Sequence, residues 1–146
     1  MDAKLLKEVI KEDFVPVVTP MGLDEKGIPY NVNADTASGA IARSIKSRRL
    51  MLLTDIEGVL DNNEKLIPEI NTMEAKELIN NEVIHGGMIP KVKTCIDAIN
   101  NGVRAVVIID GRKPHSILFE LFSDKGAGTL IRKWKIFNQS SFGFLI

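Results

Sequence analysis

Three short apolar runs, Phe14 to Val18, Leu50 to Leu53 and Ala105 to Ile109, constrain the fold of this chain more than any other feature. None of them alternates with polar residues, which is the pattern of a strand covered on both faces. Stretches with helical spacing lie between them. Val92, Cys95, Ile96 and Ile99 recur at i, i+3, i+4 and i+7, the signature of an amphipathic helix. Ala37, Ala40, Ile41 and Ile45 form a second stripe, in a helix predicted from about Asn33 to Ser47 whose small residues permit close packing. Leu5, Leu6, Val9 and Ile10 share one face of a helix predicted from Ala3 to Lys11. Apolar strands alternating with helices give an α/β fold with a mostly parallel sheet. Such sheets hold ligands outside the carboxyl ends of their strands, so the loops after Val18, Leu53 and Ile109 are where function is expected.

Local signals refine this outline. Pro16 is awkward inside the first run and implies a position that needs no ladder donor. Residues 21–30 read as a loop, with Gly22, Gly27 and Pro29 as breakers, and so does Thr54 to Asn63. Asn71 followed by Glu74 predicts a capping box. Gly86-Gly87 should open into the helix of Val92, with Pro90 as its first residue.

Composition narrows the function classes. The 146 residues amount to about one domain. Nineteen Lys and Arg balance 19 Asp and Glu, so no global charge draws the chain to nucleic acid or an anionic membrane. The single cysteine, Cys95, cannot form an internal disulfide and favours a reducing compartment. With only His85 and His115 beside it, a Cys/His zinc site is excluded. No apolar run approaches the roughly 20 residues of a membrane-spanning helix. The charged start MDAKLLKEVIKEDF lacks the apolar core of a signal peptide. A cytoplasmic protein is therefore expected. Trp134, Phe137, Phe142 and Phe144 crowd the end of the chain, so residues 133–146 are expected to stand apart from a domain of residues 1–132.

Four stretches could carry chemistry. In Asn31-Val32-Asn33-Ala34-Asp35, Asn33 can cap the following helix and Asp35 sits in its first turn. An acid there is commonplace, and the functional alternative is an anion that holds cationic side chains in register. In Gly86-Gly87-Met88-Ile89-Pro90-Lys91, a lysine in the first turn opposes the helix dipole. It is either a solvated charge or, with the free amides of the helix start, part of a phosphate site. Thr54-Asp55-Ile56-Glu57-Gly58-Val59-Leu60 can cradle a planar base or be a plain turn; Asp110-Gly111-Arg112 has the same standing. The stretch from Ser123 to Thr129 carries two glycines, too few for a dinucleotide fingerprint.

In combination, FVPVVTPMG, YNVNADTASGAIA, LLTDIEGVLD, GGMIPKV and VVIIDGRKPHSILFELFSDKGAGTLI resemble the carboxyl-terminal part of acetylglutamate kinases, a branch of the amino acid kinase family. The likeness runs from about Met1 to Arg132. It implies a three-layer αβα sandwich, partial here, and transfer of the ATP γ-phosphoryl group to the side-chain carboxylate of N-acetyl-L-glutamate, a step of arginine biosynthesis. It further implies that Asn31 helps hold acetylglutamate, that Asp35 organises the catalytic lysines, and that Lys91 neutralises charge on the phosphates. Asp55, Gly58, Val59 and Leu60 would line the nucleotide pocket. His115, Glu120, Gly126 and Gly128 match positions that bind an arginine effector in arginine-inhibited members. Magnesium would ride on the ATP phosphates without a direct protein ligand. The family's first lobe, with another lysine, glycine-rich phosphate loops and a substrate-gripping arginine, has no counterpart in this sequence. A partial chain is therefore expected, completed by a homo-oligomer or a complementing chain. The alternative is a catalytically inactive module that binds nucleotide or arginine.

Overall fold

The computed structural model describes residues 3–133. Helix α1 (Lys4–Lys11) is followed by a short antiparallel hairpin, β1 (Met21–Leu23) and β2 (Pro29–Asn31). Then come α2 (Ala34–Ile45), β3 (Arg49–Thr54), β4 (Glu69–Asn71), α3 (Thr72–Asn80) and α4 (Met88–Asn100). The described part closes with β5 (Ala105–Asp110), α5 (Ser116–Phe122) and β6 (Gly128–Arg132). The main sheet has the order β3-β5-β6-β4. β3 pairs with β5 and β4 with β6 in parallel, whereas β5 and β6 run antiparallel.

The core lies between this sheet and helices α2, α3 and α4. Val92, Cys95, Ile96 and Ile99 of α4 meet Leu52, Val106, Ile108 and Ile131 of the sheet. This is the stripe that the i, i+3, i+4, i+7 spacing predicts. Val107 and Ile109 alternate to the other face of β5, where they are also fully buried, and α5 packs against that strand. β5 is thus the two-sided strand its sequence promises. β3 is an edge strand, with Leu53 about half exposed.

Helix ends follow their side chains. The Asn33 carboxamide accepts from the Thr36 amide at the start of α2. Asn71 accepts from the Met73 and Glu74 amides while Glu74 accepts from the Asn71 amide, completing the capping box. α4 begins two residues before Pro90, which still falls in the first turn, where a missing amide leaves no bond unmade.

Two expectations need correction. Phe14 to Val18 forms no strand. Val15 and Val17 are almost fully exposed, because no strand among the described residues offers this segment a ladder and Pro16 could not donate to one. Residues 21–30 are not a loop throughout but hold the β1–β2 hairpin, whose turn is built on Asp24 accepting from the Lys26 and Ile28 amides. The short strands β4 and β6, and helix α5, were not anticipated. The tail of residues 134–146 lies outside the described residues.

Candidate functional site

Helices α2 and α4 are in contact and meet through a ladder of side chains. Gly39 of α2 faces Thr94 of α4 so closely that a Cβ on Gly39 would stand 2.9 Å from the Thr94 methyl group. One turn further toward the helix ends, Arg43 pairs with Asp97. One turn toward the helix starts, Lys91 Nζ donates to Asp35 Oδ2 at 2.7 Å. Parallel helices at helical spacing therefore bring two first-turn charges together. Lys91 is no solvated charge: its side chain is 14% exposed and that of Asp35 27%.

The pair stands at a cleft of about 870 Å³, within the roughly 300–1,000 Å³ of small-molecule and cofactor sites. One part of the wall is polar and belongs to helix starts: Asn33, Asp35 and Thr36 of α2, and Gly86, Gly87, Lys91 and Thr94 at α4. Another part is apolar, with Ile56, Leu60, Val83, Ile84 and Met88. Asp55, Gly58, Val59 and Leu60 all line the cleft. This arrangement can take a ligand with a flat apolar end and an anionic end. Aligned helix starts and an ammonium stabilise negative charge.

The lining loop is held from below. Gly58 has φ +148°, and a Cβ there would lie 2.6 Å from Thr129 Oγ1. That close approach lets the Val59 amide donate to the buried Thr129 hydroxyl at 2.8 Å, while the hydroxyl donates to the Ile67 carbonyl at 2.7 Å. Sequence reasoning missed Thr129, and also His85, Val83, Ile84 and Thr94 as wall residues. The GAGT context of Thr129 was the only available signal, and it suggests a turn rather than a brace.

Other candidates go elsewhere. Asn31 ends β2 and is exposed; it is not part of the cleft wall. Asp110 receives both Nε and Nη2 of Arg112, at 2.9 and 3.0 Å. The Arg112 hydrogen bonds hold its carboxyl down at about 2. Lys113 donates to Glu57 at 2.5 Å and ties the loop after β5 to the lining loop. Glu120 is buried and accepts from Arg49 Nη1 at 3.2 Å and from the Ala127 amide at 3.0 Å. Gly126 is beside the same carboxylate, and Gly128 packs on the Ile108 carbonyl with no room for a side chain. His115 instead borders a shallow depression with Leu118, Phe119 and Phe122.

Comparison with known proteins decides the family. The amino acid kinase family model matches residues 1–110. The chain belongs to the amino acid kinase family. Acetylglutamate kinase from Pelagibacter ubique is 60% identical over 133 residues, which are 91% of this chain and 46% of that protein. Acetylglutamate kinase from Rhodopseudomonas palustris strain BisB18 is 51% identical over the same share of this chain and 45% of its own length. The chain thus spans a little under half the length of these curated relatives. N-acetylglutamate synthase from Neisseria gonorrhoeae, solved with coenzyme A and L-arginine, superposes with a TM-score of 0.87 at 25% identity, covering 92% of this chain and 31% of that one. Carbamate kinase from Giardia lamblia bound to AMP-PNP shares the fold, with a TM-score of 0.70 at 22% identity over 89% of this chain and 44% of that one. As an amino acid kinase family member, the chain carries helices on a mixed sheet, with its cleft at the carboxyl end of β3. Among the described residues, no helix is long and apolar enough to cross a membrane, and no group of three His, Cys, Asp or Glu is placed to hold a metal ion.

Proposed function

We propose that this chain is the nucleotide-holding half of an acetylglutamate kinase, which passes the ATP γ-phosphoryl group to the side-chain carboxylate of N-acetyl-L-glutamate. The observation that carries the reading is the Lys91–Asp35 pair, mounted on two adjoining helix starts at one cleft. The names of the relatives, at 51–60% identity, point to the same acceptor. In phosphoryl transfer most of the work is positioning and charge stabilisation. Lys91 would neutralise charge on the phosphates, and Asp35 would hold its ammonium in place. Leu60, Val83 and Met88 would cover the base, with Asp55 and the backbone at Gly58 and Val59 beside it. Magnesium carried on the phosphates would supply further charge neutralisation. Asn31, on the hairpin, would face the acetylglutamate, and Glu120 with Gly126 would be what remains of an arginine effector site.

A second reading keeps the same cleft and the same pair but takes them as a module that binds nucleotide and does no chemistry alone. A coupled assay of ADP release with ATP and acetylglutamate separates the two when run beside calorimetric titration with ATP. Turnover above background that requires acetylglutamate supports the kinase. ATP binding without turnover supports the module, and turnover with aspartate or carbamate in place of acetylglutamate refutes the proposed acceptor.

A further inference from the structure

His85 stands at the junction between the two kinds of cleft wall. The chain just before it is apolar: Ile84 is buried in the core and Val83 lines the cleft. The chain just after it, Gly86-Gly87, opens α4 and leads to Lys91. His85 itself lines the cleft and is exposed. Its carbonyl accepts from the Met88 amide, which fixes the turn, and its imidazole has no partner among the described residues. The charged groups around the same cleft are Asp35 and Lys91, which are paired with each other, and Asp55, which accepts from its neighbour Thr54. A ligand lying with its flat end on Leu60 and Val83 and its anionic end at the α4 start shares the cleft with the His85 side chain, which the chain places between those two parts of the wall.

We infer that His85 is a positioning residue for nucleotides, its ring N–H donating to the phosphate nearest the nucleoside. The inference rests on the nucleotide reading above and adds to it a group that reads the first phosphate, separate from the lysine that reads the last. The test is calorimetric titration of the full chain with adenosine, AMP and magnesium ATP, for the parent, His85→Ala and His85→Asn. A lost hydrogen bond to a charged acceptor corresponds to roughly tenfold in affinity. His85→Ala should therefore bind AMP and ATP about tenfold more weakly and adenosine within about twofold of the parent. His85→Asn, which keeps a donor, should recover part of the loss. An exposed imidazole with no partner predicts unchanged thermal unfolding in both variants. Equal losses for all three ligands, or none, overturn the inference while leaving the nucleotide reading intact. A parent chain that binds neither AMP nor ATP overturns both.

Discussion

Removing one member of the Lys91–Asp35 pair should cost stability through the charge left behind. At 2.7 Å and an effective dielectric of about 20, the gross attraction is roughly 6 kcal/mol. Desolvation of two mostly covered ions takes back most of it. The pair lies between an exposed ion pair, worth up to about 1 kcal/mol, and a fully buried one, whose disruption costs about 3–5 kcal/mol. The net expectation is about 2 kcal/mol for Asp35→Ala, which strands an ammonium that is 14% exposed. Lys91→Ala should cost less, about 1 kcal/mol, because the carboxylate left behind still faces the positive start of α2. The double variant should lose no more than Asp35→Ala alone, a coupling of about 1 kcal/mol. Urea unfolding at neutral pH, with all four proteins measured at low and high salt, gives the cycle. Effects that add within about 0.3–0.5 kcal/mol would show two independent side chains and refute the paired arrangement.

Three further outcomes follow from the same geometry. Gly39→Val should push α2 from α4 at the Thr94 contact and weaken ATP binding more than tenfold, a larger effect than its loss of thermal stability alone explains; unchanged affinity would mean the helix spacing is irrelevant to the cleft. Thr129→Val keeps the shape of a fully buried residue but strands the Val59 amide and the Ile67 carbonyl. It should cost about 2–3 kcal/mol in urea unfolding, and a loss under 0.5 kcal/mol would refute the brace. Burial pushes the Cys95 thiol up to about 12, so the folded chain keeps a proton that the unfolded chain releases above about pH 8.5. The thiol's contribution is constant below that pH and falls from there to about pH 12, at up to about 1.4 kcal/mol per pH unit. Unfolding curves of the parent and Cys95→Ala should therefore converge as pH rises from 8 to 10, and parallel curves would contradict a neutral buried thiol.

Helices α1 to α4 were legible because their signals are local. The α4 stripe, the Asn33 cap and the Asn71–Glu74 box each need only a few consecutive residues. Asp35 and Lys91 were also legible singly, one as an acid and one as a base in a first turn. Their meeting was implied by the family resemblance, which has Asp35 organise the catalytic lysines, but no local pattern could show it, since 56 residues separate them and parallel packing at Gly39 and Thr94 sets the register. The three-residue strands β1, β2 and β4 are too short for period-two alternation to show. Phe14 to Val18 misled for the opposite reason. Its apolar run has the composition of a buried strand, but composition cannot supply the neighbour that a ladder requires. Thr129 was invisible because its role depends on a partner loop 70 residues away.

The central claim is that the ammonium of Lys91, held by Asp35, meets the terminal phosphate of a bound nucleotide. A crystal structure of the chain with magnesium and a non-hydrolysable ATP analogue tests it most directly. The account predicts a γ-phosphate oxygen about 3 Å from Lys91 Nζ, the base against Leu60 and Val83, and the α4 amides turned to the phosphates. An analogue bound outside this cleft, or inside it with the base at Lys91 and the phosphates in solvent, would contradict the account.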